Sequence, residues 1–259
     1  MPLETLTLDQ LTIDDEASFG HVALYHRLKG ALRSSGHRFL VPADGTYLSR
    51  DRALFLNHTY WGGDGGADVL CEAAITADEV THMALHHLVD ARLTGASGAP
   101  SASAFLFAES IASAFDLYLV GRLLENRPDS EFIESQVPIM REAAEEAGML
   151  AEDFADLLTS VALEPERAFE DLRVLLLEAT TALVACAGAE EAERAFERFS
   201  GHRFEPLLHH YQLSNWILYS RAYATANAAQ DATIQAADQA LRAAPDSLAW
   251  LEEHWLPLR

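Results

Sequence analysis

The chain has 259 residues, 49% of them hydrophobic, enough for one generous core or for two modest domains sharing an interface. Its 40 acidic against 18 basic residues give a formal charge of −22, and a field of that sign repels phosphate backbones and anionic membrane surfaces. Nucleic acid and membrane are therefore excluded as expected partners, which leaves a small molecule, a peptide or a basic protein surface; charge does not specify the oligomeric state.

Cys71 and Cys186 lie far apart and neither belongs to a CxxC pair, so no disulfide framework or structural zinc knuckle is indicated. The opening MPLETLTLDQL lacks the basic start and continuous apolar run of a secretory signal, and no later apolar stretch is long enough for a membrane span. The expected location is the cytoplasm.

Along the chain, Asp14 and Asp15 are candidate caps for a first helix, residues 14 to 33, in which Leu24, Leu28 and Leu32 form one apolar stripe. It ends near Ser34 to Gly36. Phe39-Leu-Val41, Thr46-Tyr-Leu-Ser49 and Ala53-Leu-Phe-Leu56 read as short antiparallel strands separated by turn residues. Residues 61 to 66, WGGDGG, form a glycine-rich connection without the lysine and hydroxyl of a phosphate-binding loop. Val69 to Ile75 fits strand or helix.

Thr76 with Glu79 makes a capping box for a helix through Val80, His82, Leu85, His86 and Val89 to about Arg92, with Asp78 and Glu79 complementing its dipole. After the breaker LTGASGAP, a strongly apolar helix begins at Ser101 or Ser103 and runs to Leu124; its composition predicts burial. From Asp129 onward the pattern is helical, punctuated by Pro138, Gly148, Pro165, Gly188, Gly201, Pro206 and Pro245, with Pro165 and Pro206 suited to first turns. Residues 222 to 244 are alanine-rich and read as a surface or partner-facing helix. The expected fold class is α+β, mainly helical, with residues 1–128 as one subdomain carrying a short antiparallel sheet and 129–259 as a helical subdomain.

Histidines four apart on a helix present both imidazoles on one face, and His82 and His86 are so spaced. Glu109 follows His86 by 23 residues, room for a loop and about two turns of an antiparallel helix that returns its carboxylate to the same height. Two histidines and one glutamate leave a coordination position open, as catalytic zinc sites do. The bland alternative is a helix carrying ordinary polar imidazoles; His87, about 100° round from His86, is read that way.

DEVTHMALHHL and Glu109-Ser-Ile-Ala-Ser-Ala-Phe115 resemble the ligand helix and the glutamate helix of the gluzincin metallopeptidases, whose HExxH motif is completed by a downstream glutamate. Residues 45 to 57 are similar to the edge-strand hairpin beside the cleft in that family, and the resemblance covers about half the chain, from the first helix to Leu124. It implies a zincin-like N-terminal subdomain with His82, His86 and Glu109 as zinc ligands. Two departures stand out: Met83 occupies the place of the general-base glutamate, and a thioether takes no proton. Ser113 stands where the family often keeps an aspartate that orients a ligand histidine, with Asp116 a turn further on.

Glu79 is a candidate base, fourth ligand or capping acid, and His209, His210 and Tyr211 are candidates to polarise a substrate oxygen. The functional expectation is a zincin-like metal-binding protein, either a binding protein derived from a metallopeptidase or a metalloenzyme of altered, hydrolase-like chemistry. Two alternatives stand beside it. Glu79-x-x-His82 with Glu109 supplies half the ligand set of a carboxylate-bridged di-iron oxygenase, whose other half would need a group such as His202, Glu205 and His209. A metal-free acidic interaction protein would make all of these ordinary polar positions.

Overall fold

A computed structural model describes residues 3–43, 67–94 and 100–256. The hairpin expected within 45–57 and the glycine-rich connection 61–66 lie outside the described residues. The chain divides into two compact units, Met1–Ala84 and Leu85–Arg259. Among the described residues the protein is mainly helical, with small sheets near its N-terminus.

In the first unit, β1 (Leu3–Thr7) pairs antiparallel with β3 (Arg38–Pro42), and β3 pairs parallel with β4 (Ala67–Val69). A second sheet joins β2 (Thr12–Asp14) in parallel to β5 (Ala74–Thr76). The Phe39–Val41 strand is thus present, but its antiparallel partner is the segment Leu3–Thr7, whose alternation of leucine and threonine is itself a strand pattern. The three-stranded sheet is mixed and the two-stranded one parallel, rather than antiparallel throughout.

The first helix is shorter than the 14-to-33 span expected. Asp14 is taken into the ladder opposite Thr76, residues Glu16–Phe19 form a single 3-10 turn, and α1 begins only at Ala23, ending at Ser34. Its buried stripe is Tyr25, Leu28, Ala31 and Leu32, with Leu24 half-buried, so the core face is turned slightly from the leucine line. The Tyr25 hydroxyl donates to Glu16 at 2.9 Å, and Lys29 pairs with the same carboxylate.

β5 leads without a break into α2 (Ala77–Val89), and the Thr76 amide donates to Glu79 Oε2 at 3.1 Å, one arm of the expected capping box. A π-helical turn, Asp90–Thr94, follows. The division between the two units falls inside α2, so the spacing of its histidines is set by that helix alone.

In the second unit α3 (Ala102–Asn126) is the central element. Ser101 caps it, its Oγ accepting from the Ala104 amide, while the Ser101 amide donates to the buried Gln230 side chain at 2.6 Å. By length and composition alone α3 is apolar enough to cross a membrane, but the qualifying window is 89% buried inside the protein, which makes it a core helix. Around it follow α4 (Glu131–Glu146), α5 (Ala151–Leu163), α6 (Pro165–Val184), α7 (Ala189–Phe196), α8 (Leu213–Tyr223), α9 (Ala228–Ala243) and α10 (Ser247–His254).

Pro165 opens α6 as expected, but Pro138 lies inside α4 rather than punctuating it. Pro138 is on the exposed face, where water can satisfy the carbonyl it leaves unbonded, and Val137, Met140 and Ala144 keep the opposite face in the core. The alanine-rich stretch is also interrupted: Ala222 belongs to α8, Asn227 caps α9, and Ile234, Ala237 and Leu241 bury one face of α9.

Two features fix the packing of the second unit. Gly121 of α3 marks a close helix approach, because a Cβ there would lie 2.7 Å from the Val161 carbonyl oxygen and 3.0 Å from the Pro165 Cβ, so that the backbone would have to shift. Arg173 of α6 is fully buried, holding both oxygens of Glu170 at 2.7 and 2.8 Å and Asp238 of α9 at 2.7 Å. Arg242 extends the network to Asp238 and Glu178, both at 2.8 Å.

Candidate metal centre

α2 is buried at Ala77, Val80, Thr81, Met83, Ala84, Leu85, Leu88 and Val89. Between these positions runs a half-buried polar stripe, Glu79, His82 and His86, at the three- and four-residue steps that keep one face of a helix aligned. α3 is more extreme. From Ala104 to Gly121 every residue is buried except Glu109 and Asp116. A carboxylate in such a helix has lost most of its water, a cost that persists only where a cation or hydrogen-bond donors face it.

What faces Glu109 is the histidine pair. One candidate ligand atom each from His82, His86 and Glu109 lies within 4.8 Å of the others, and His86 Nε2 is 3.7 Å from Glu109 Oε1. Two ligands on one tetrahedral zinc, each about 2.0–2.2 Å from it, stand roughly 3.4 Å apart, so side-chain adjustments of about 1 Å close the set. The donor chemistry fits: imidazole nitrogens and a carboxylate suit zinc or iron. The side chains of His86 and Glu109 keep 25% and 15% of their exposure, which leaves a path for a further ligand.

The other expected residues are distributed differently. Glu79 serves the start of α2 through the Thr76 amide. Met83 is buried, and Ser113, one turn beyond Glu109, is 6% exposed. His87 is half-buried. His209 is 79% exposed, faces Glu146 at 3.7 Å and lines a cavity of the second unit rather than joining the three ligand candidates. His210 and Tyr211, by contrast, lie against Asp116: burial lowers the His210 pKa, with Asp116 opposing that shift, and burial followed by Asp116 pushes the Tyr211 phenol up. His210 Nδ1 is buried with no hydrogen-bond partner among the described residues.

Asp116 follows Glu109 by seven residues, two helical turns, so the two carboxylates share a face about 10 Å apart along the axis. A polar line of Glu109, Ser113 and Asp116 therefore runs through an apolar helix, with the histidine pair of α2 at one end and His210 and Tyr211 at the other. The sequence offered this line at steps of four and three; only the fold attaches His210 and Tyr211 to it. His202, Glu205 and His209 form no second ligand set, for among the described residues His82, His86 and Glu109 are the one such group of three. The His202 Nδ1 instead accepts from the Phe204 amide at 3.2 Å.

Comparison with protein-family models, with curated proteins and with solved structures returns no match.

Proposed function

We propose that this chain is a zincin-like metal-binding protein that holds one zinc ion through His82, His86 and Glu109. The observation that carries the reading is the convergence of these three side chains from two helices, with the carboxylate placed in an otherwise buried stretch of α3. A bound ion would supply Lewis acidity, polarising an oxygen placed in the open position. This chain's residues supply the rest: Glu79 anchors the start of the ligand helix, and Ser113 and Asp116 continue the polar line along α3.

Met83 separates this chain from ordinary peptidase chemistry, since it offers no base where the gluzincins have one. The reading is therefore a metallopeptidase-derived binding protein or a metalloenzyme of altered, hydrolase-like chemistry. A mononuclear site is favoured over a di-iron centre because the described residues offer one three-residue group rather than the larger ligand set of a carboxylate-bridged pair.

Cobalt(II) titration of the chelator-treated chain tests this. A single equivalent giving the intense visible absorption of a four-coordinate site, displaced by zinc and lost in His82→Ala and His86→Ala, supports it. Uptake unaffected by either substitution contradicts it.

A further inference from the structure

The second unit contains a cavity remote in sequence from the metal ligands, and what it would bind does not depend on the metal reading. It has a volume of about 680 Å³, within the range of roughly 300–1,000 Å³ that accommodates small ligands. It is formed where the end of α6, α7, the turn before α8 and the length of α8 as far as Arg221 meet. Leu183, Phe196, Leu208, Ile217 and Leu218 give it apolar walls, and Leu218 is left 64% exposed. An exposed leucine of that size beside a concave apolar surface is the kind of area a ligand would cover.

The charge of the cavity runs against that of the chain. The protein carries 40 acidic residues, yet none of the described residues lining this cavity is acidic. Its charged lining residue is Arg221, with His209 the other residue able to carry positive charge. Arg221 Nη2 donates to the Cys186 carbonyl at 2.7 Å, which fixes the guanidinium at the end of α6 before any ligand arrives. The first turn of α8 also lines the cavity, and the helix dipole adds positive potential at that end, while Arg221 stands in the last turn. Glu146, which faces His209 at 3.7 Å, is not part of the lining.

We propose that this cavity binds an amphipathic anion: an apolar chain seated on the leucine and phenylalanine walls, with one carboxylate head directed to Arg221. Apolar walls with a single fixed cation select such a molecule over a neutral chain, which gains no charge pairing with the guanidinium, and over a cationic chain, which it repels.

Isothermal titration of the full chain with decanoate, 1-decanol and decyltrimethylammonium, each below its aggregation concentration, tests this. Decanoate is expected to bind one to one and about five- to tenfold more tightly than the other two. Arg221→Gln should abolish that preference, and Ala192→Trp, which fills the cavity from α7, should abolish saturable binding; melting curves of both variants establish that they are folded. Equal affinity for the three probes, no saturable binding of decanoate by the wild type, or undiminished binding by a folded Ala192→Trp chain would each overturn the proposal.

Discussion

His86 Nε2 lies 3.7 Å from Glu109 Oε1, beyond hydrogen-bond range for that atom pair but close to the spacing of two ligands on one ion. The carboxylate comes from a helix in which nearly every neighbour is buried, so its placement opposite an imidazole is a specific feature of the fold. Replacing it with an isosteric amide isolates the charge. Glu109→Gln is expected to lower zinc affinity by more than about 100-fold, exceeding the 10–100-fold typical of residues that only support a ligand. His87→Ala, on the adjacent face, should leave it unchanged; competition with a chromophoric chelator measures both.

Metal binding to the folded chain must also stabilise it. Zinc free at 100 times its dissociation constant should add about 2.7 kcal/mol to unfolding stability, and this increment should vanish in His86→Ala. Denaturant titration with and without zinc measures the difference.

Gly121 gives a test of the core that is independent of the site. Because the added methyl of Gly121→Ala would meet backbone at 2.7 Å, α3 must shift, and the expected cost is about 1–3 kcal/mol despite alanine's better helix propensity. A lowered denaturation midpoint at unchanged slope is the predicted result.

Arg173→Ala removes the buried centre of the α6–α9 network and leaves Glu170 and Asp238 facing each other without their shared cation. Both acids keep partial exposure, 23% and 18%, so the expected loss lies near the lower end of the range for broken buried pairs, about 3 kcal/mol. Equilibrium unfolding of the variant checks it.

Stability should fall on mild acidification. Burial lowers the pKa of His210, against the opposing effect of Asp116, and burial also lowers that of His202. Each has a folded pKa below its unfolded one, so below about pH 6.5 the unfolded chain takes up protons that the folded chain refuses. The stability these groups contribute is complete above the unfolded pKa and declines until the pH passes the folded pKa. His210→Asn should flatten the decline between pH 7 and pH 5, as read from unfolding midpoints.

How much of this was legible in the sequence follows from the range of the interactions involved. The α2 and α3 helices, the Ser101 cap, the Glu79 arm of the Thr76 capping box and the first-turn Pro165 are written in local spacing, and each is present. The His82–His86 pair is equally local. Glu109 was accessible because a return of about two turns brings it opposite that pair. The N-terminal strands escaped because β1 and β2 are short and acquire their meaning from partners at residues 38–42 and 74–76. Pro138 was misleading because a proline in a helix is tolerated when its face is wet, which spacing cannot reveal. The cavity beside Arg221 left no local signal at all, being assembled from the end of one helix, the length of a second, and a third helix with the turn that precedes it.

The most direct test of the central claim is elemental analysis of the wild-type chain and Glu109→Ala, each purified without chelator. One zinc per wild-type chain, lost in the variant, is the predicted result. Absence of metal from both proteins, with no uptake when excess zinc or iron is added, would contradict the metal centre.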